Sequence, residues 1–338
     1  MKSEFSGLMV RGAIVALLFL SMLLLSCGPV ALPFPTRKPP APFFDVASLL
    51  PGSYLMAAPS LSEDGRYLTV GETEFAGVTA EDLVIFDLQQ QEVLQEVYTG
   101  GVFTTAVSPS GRRVAVDNGY RKLLLFETGV ITPTRVITGA VPTWSPDGQQ
   151  LAYATSSESS DGQQRIEIHI LEMATGRERS VFERASARAY IWPLTWSPDG
   201  RKLAFNLNFP PSDPLEPDKE TASFFSLELR NDSTTVITKD WEILSLQFSP
   251  DSSKILVLGA PLPVGMRDEY KLYVMDNAGT CHRVKSPIPN LVEVALSADG
   301  ETVAVHVKNP HWLLVAQTSE VLPQDYWETG VRCSSLLK

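Results

Sequence analysis

An all-β fold, a six-bladed β-propeller of four-stranded antiparallel blades, is what this 338-residue sequence predicts. Three observations carry the prediction. A ten-residue phrase recurs six times along the chain. Each copy reads as two strands joined by a tight turn. A further apolar strand follows every copy.

The phrase runs LSEDGRYLTV at 61–70, VSPSGRRVAV at 107–116, WSPDGQQLAY at 144–153, WSPDGRKLAF at 196–205, FSPDSSKILV at 248–257 and LSADGETVAV at 296–305. Its serines are Ser62, Ser108, Ser145, Ser197, Ser249 and Ser297, spaced 37 to 52 residues apart. Self-similarity at this period marks one supersecondary unit stacked many times.

Within a copy, residues such as Tyr190 to Trp196 are rich in aromatic and β-branched side chains and read as the first strand. Asp199-Gly200 supplies the turn, because Gly takes positive φ freely and Asp tolerates it. In the second strand, positions six and eight after the serine are bulky (Leu203 and Phe205 here) and position seven is mostly small (Ala204). That pattern suits a sheet covered on both faces. Third strands are expected at 83–87, 123–127, 166–172, 224–230, 271–276 and 311–317, each followed by a polar turn and a weaker fourth strand. Four antiparallel strands in about 40–50 residues make one blade. Two copies depart from the pattern: Ser110-Gly111 replaces Asp-Gly in the second, and Asp251-Ser252 in the fifth lacks the glycine, which predicts a strained turn. Either residues 44–52 or the C-terminal tail is expected to close the ring.

The phrase, followed by an apolar strand ending in an acid, resembles the TolB-type, WD-like propeller repeat, also found in the propellers of prolyl oligopeptidase-like enzymes. The resemblance covers about residues 53–323 and places the propeller domain at 44–338. It implies a scaffold, gate or enzyme without choosing among them.

Residues 1–26 read as a signal peptide: Lys2 and Arg11 precede an apolar run, Ala13–Leu25, too short for a comfortable transmembrane helix. Leu24-Leu25-Ser26-Cys27 resembles the lipobox of bacterial lipoproteins. The resemblance implies lipidation of Cys27, a membrane anchor and an extracytoplasmic place in the cell envelope. An ordinary signal peptide and an uncleaved anchor are the competing readings. Residues 27–43 carry six prolines and read as an extended stalk.

A formal charge of −11 and the lack of a basic, aromatic-interleaved stripe argue against nucleic acid as a partner. Cys281 and Cys333 are left either as a disulfide, which export permits, or as two separate thiols. No Gly-x-Ser-x-Gly elbow, His-Glu-x-x-His, phosphate loop or Cys-x-x-Cys is present. The four histidines, His169, His282, His306 and His311, are scattered over blades, and the acidic run 213–220 lacks calcium-loop spacing. No catalytic residue, metal site or cofactor is therefore assigned.

In such a blade the serine-containing turns lie on one face of the disc. The second-to-third-strand loops and the blade-to-blade loops lie on the other. The long loops 155–164, 207–222 and 259–270 share that second face with the blade-to-blade connections. Tyr190, Trp192, Phe209, Asp218, Trp241 and Arg267 form the candidate binding face, since loops on a rigid scaffold collect binding residues and aromatics with Arg favour interfaces. The expected function is a non-enzymatic propeller that binds a protein or other envelope ligand. The alternatives are a polysaccharide lyase or hydrolase acting in the central channel, and a purely structural member of an envelope complex.

Overall fold

The computed structural model describes residues 44–50, 54–55, 59–73, 80–158, 164–185, 189–209, 222–262, 270–285, 288, 290–307, 312–322, 326–327 and 331–332. Among these, six antiparallel sheets follow the expected order of strands, one per repeat. Blade four is representative: Tyr190–Trp196, Lys202–Asn208, Ala222–Glu228 and Ser233–Lys239 pair in sequence order from the axis outward.

The core is a set of seams between blades, and the alternation in the second strand explains it. Leu203 and Phe205 point toward blade three, where they join Ala152, Ile168 and Ile170. Ala204, between them, faces blade five and meets Trp241, Ile243 and Val257. The same rule holds around the ring. Val114 and Val116 pack on blade one while Ala115 packs on blade three. Val303 and Val305 pack on blade five while Ala304 packs on blade one. A small residue opposite two bulky ones lets twisted sheets approach closely while the seam stays filled.

The recurring serine is a staple inside the turn. All six are buried. Each hydroxyl accepts from the backbone N–H five residues on, at 2.8 to 3.0 Å. In the five copies with Asp two residues later, the hydroxyl also donates to that carboxylate, and the carboxylate accepts from the N–H two residues further on. Ser110 breaks this second link in copy two. The turn glycine has a second reason besides its φ of +76° at Gly300: a Cβ there would lie 3.1 Å from Pro250 of the preceding blade. In the fifth copy Ser252 takes the left-handed conformation, φ +60°, the strain expected of a non-glycine there. Its buried hydroxyl accepts from Asp199 N–H of blade four at 3.0 Å.

The two termini of the propeller divide the closing task. Phe44–Asp45 pairs with Trp312–Gln317 as the fourth strand of blade six, so the N-terminal segment completes that blade and the ring. Val331–Arg332 instead pairs with Cys281–Arg283 and adds a fifth strand to blade five.

Candidate functional site: the loop face

The first strands begin on the loop face, and most are irregular there. Register shifts interrupt four of them, between Ala140 and Thr143, Ile191 and Leu194, Ile243 and Ser245, and Leu291 and Glu293. In blade one the first strand is divided into Tyr54–Leu55 and Ser60–Leu61. Bulges re-aim side chains, so the mouth of the ring escapes the pattern that governs the turns.

Below that mouth runs a channel of about 200 Å³, lined by the first strands of the blades. Its polar lining includes Ser60, Thr143, Thr195, Gln247 and Glu293. Glu293 lies 3.4 Å from Nδ1 of the buried His306. Among the described residues no three of His, Cys, Asp and Glu converge as metal ligands. His169 pairs with Glu167 at 3.7 Å, and His282 lies in the fourth strand of blade five, so the described histidines stay apart.

The sequence-derived binding residues meet different fates. Tyr190 is half-exposed, and burial of the rest of the ring, then the charge of Glu242, raise its hydroxyl pKa above the ordinary value. Trp192 packs edge-on against Phe103, ring centres 5.4 Å apart. Phe209 lies under the Arg184 guanidinium at 4.9 Å. Trp241 is buried at 5 % exposure, T-shaped against Tyr273, and so serves the seam between blades four and five rather than the surface. Asp218 and Arg267 lie outside the described residues, as do Cys27, Cys333 and His311. Cys281 is disulfide-bonded.

Three aromatic residues that sequence reasoning passed over complete the face. Tyr98 ends the fourth strand of blade one, Phe103 precedes the first strand of blade two, and Tyr120 sits in the short second-to-third-strand loop of blade two. They are 72 %, 56 % and 73 % exposed. With Tyr190 they are the four exposed aromatic side chains among the described residues, and all four lie on the loop face. Phe103 and Trp192 belong to blades two and four, so their contact spans the start of blade three at the channel mouth.

Asp117 organises this region. Its buried carboxylate accepts from Gly119 N–H at 2.9 Å and from Val141 N–H at 3.1 Å. Desolvation raises its pKa in spite of those bonds. The Arg121 carbonyl accepts from Gly139 N–H at 3.0 Å. The loop of blade two and the entry to blade three are thereby tied together. Beside them a second cavity, about 360 Å³, opens between blades three and four with Arg121, Ser156 and Tyr190 on its wall.

Neither a protein-family model nor a curated relative matches the chain. Among solved structures it is similar to a chain in the crystal structure of the mitotic checkpoint complex, with a TM-score of 0.52, 16 % identity, and coverage of 79 % of this chain and 77 % of that one. It is also similar to the Cps50 (Swd1) β-propeller domain of Myceliophteria thermophila, with a TM-score of 0.50, 11 % identity, and coverage of 78 % and 99 %. The chain is a β-propeller. At these identities the likeness reaches the fold and nothing narrower.

Proposed function

We propose that this protein is a non-enzymatic binding propeller, lipid-anchored through Cys27 in the cell envelope, whose loop face captures a protein partner. The carrying observation is the segregation of exposed aromatics. Tyr98, Phe103, Tyr120 and Tyr190 share one face, while the other exposed large hydrophobics among the described residues are aliphatic. Exposed tyrosines and tryptophans with rigid backbones are the usual anchors of protein interfaces. The bulged mouth and the Asp117 tie hold them in place before any partner arrives.

The anchor reading rests on the lipobox resemblance at 24–27. It also leaves Cys333 as the partner of Cys281. The tail strand supports that pairing, since Arg332 opposes His282 and Val331 opposes Arg283. Mass spectrometry of unreduced peptides should recover a 281–333 crosslink; recovery of free Cys333 would refute it.

A photo-crosslinking side chain placed at Tyr120 in cells should give a discrete protein adduct. The same probe at Gln149, in a turn on the opposite face, should not. Equal adducts from both positions would overturn the assignment of the face. Cys27→Ala should move the protein out of the membrane fraction and remove the lipid mass; unchanged fractionation and mass would end the anchor reading.

A further inference from the structure

The cavity between blades three and four has a chemistry of its own. Its volume of about 360 Å³ falls within the roughly 300–1,000 Å³ of small-molecule pockets. The floor is apolar: Ala140, Ala154, Ile166 and Ile191 come from the first and second strands and the third strand of blade three, and from the entry to blade four. Among the described residues its wall is polar and neutral but for one group. Thr138, Thr155, Ser156 and Tyr190 offer hydroxyls, and Arg121 is the one charged residue described there.

That is an unusual place for a bare cation in a chain of net charge −11. Several described arginines, though not all, have carboxylates of their own: Arg66 pairs with Asp87, Arg113 with Glu127, Arg165 with Glu183 and Arg177 with Glu172. Arg121 is also positioned at a conformational cost. Its φ is +58°, a region that side-chain-bearing residues avoid. Its carbonyl is fixed by Gly139 N–H, and its loop is fixed by Asp117. Backbone strain of this kind persists where surrounding structure enforces it and recurs at ligand clamps. An arginine lining a cavity with an apolar floor and hydroxyls on its wall is suited to recognise a carboxylate carried on a compact apolar or hydroxylated body.

We infer that the cavity between blades three and four is a binding site for a small carboxylate ligand, with Arg121 as its anion-recognising residue. Tyr190 borders both, but the two readings differ in what they need: this site needs Arg121 and its apolar floor, whereas capture needs the exposed aromatic rings. The carboxylate can sit on an acylated amino acid or on a sugar acid, and paired probes separate the two. The full chain, in detergent and labelled at isoleucine methyls, is titrated with N-acetyl-leucine against its neutral amide, and with glucuronate against glucose. Ile166 and Ile191 are buried in the floor and report directly on occupancy.

One of the two acids should shift both methyl signals with saturation, and its neutral counterpart should bind about tenfold or more weakly. Arg121→Gln lies on an exposed loop and should leave the thermal midpoint unchanged while removing that preference. The inference fails if neither acid shifts these methyls, if acid and neutral probe bind equally, or if Arg121→Gln keeps the preference. The crosslink from Tyr120 is read in the same variant. Its survival alongside lost acid binding shows two separate sites. Loss of both would merge this cavity with the partner face and overturn the inference of a separate site.

Discussion

On the turn face of the disc, six buried serines each accept the same backbone hydrogen bond, and five of them meet the same carboxylate partner. On the loop face, blade one ends in Tyr98, blade two presents Phe103 and Tyr120, and blade four presents Tyr190 and Trp192. The same strands feed both faces. Repetition on one side builds turns whose serine and aspartate side chains bond within the turn itself, and so offers little to a ligand. On the other side, bulges release the strand entries from the repeat, and the side chains there are free to differ. The faces should therefore respond to substitution in opposite ways: the turn face through stability, the loop face through binding.

The sharpest contrast lies within the loop face itself. Trp241 and Tyr120 both belong to blade edges on this side, yet Trp241 is 5 % exposed and Tyr120 is 73 % exposed. Trp241→Ala should cost about 3–5 kcal/mol, as buried aromatic truncations do. Tyr120→Ala should change stability by less than about 0.5 kcal/mol and yet abolish capture of the crosslinked partner. Denaturant unfolding, and co-purification of the partner that the probe at Tyr120 identifies, measured on both variants, check this. A Trp241→Ala protein of wild-type stability would remove the distinction.

This pair also shows where the sequence runs out. Strand positions, turn positions and the inward alternation around Ala204 were all readable, because each depends on a period of two or on a local turn. The third strand expected at 271–276 is Lys271–Asp276 in the structure. Ring closure was not readable, since Phe44–Asp45 is only two residues long and carries no pattern of its own. Phe103 and Tyr120 were missed for a related reason. They sit in short connections that look like ordinary turns, and the meeting of Phe103 with Trp192 depends on how three blades are arranged. The long loops drew attention instead, and two of the residues chosen there, Asp218 and Arg267, lie outside the described residues.

A smaller loss is expected from the staple. Ser197→Ala leaves Lys202 N–H without its acceptor at a fully buried site. The cost should be about 1–3 kcal/mol, with Tyr120 crosslinking unchanged at temperatures where the protein is folded. Reduced crosslinking under those conditions would mean the two faces are coupled through the blade, and the simple division between them would fail.

The faces should also titrate with opposite sign. On the turn side, the Arg66 guanidinium holds Asp87 below its ordinary 3.8, and the Ser249 hydroxyl together with Ser253 N–H does the same for Asp251. At the loop end, burial raises Asp117 above 3.8. A depressed carboxylate contributes stability that is present above 3.8 and is lost as pH falls through its folded value. The raised Asp117 works the other way, and stability falls as pH rises from 3.8 through its folded value. Asp251→Asn should flatten the acid limb of a stability profile, and Asp117→Asn should steepen it. Unfolding midpoints taken across the acid range decide the matter, and slopes that change in the same direction would show that the electrostatic contrast between the faces is wrong.

The smallest effect tests whether the one turn that lacks glycine is a defect or an adaptation. Ser252 holds φ +60°, where a side chain costs about 1–2 kcal/mol, and its hydroxyl accepts from Asp199 N–H across the seam. Ser252→Gly removes both the strain and the bond, so the two changes should nearly cancel and leave stability within about 0.5 kcal/mol. Ser252→Ala keeps the strain and removes only the bond, and should cost about 1 kcal/mol. A Gly variant as unstable as the Ala variant would mean the left-handed turn carries no strain here. An Ala variant as stable as wild type would mean the hydroxyl does nothing for the seam. The expected split, Gly neutral and Ala damaging, would show the fifth copy exchanging the repeat's glycine for a bond between blades. The turn face then gives up its glycine only where a neighbouring blade supplies a bond in exchange.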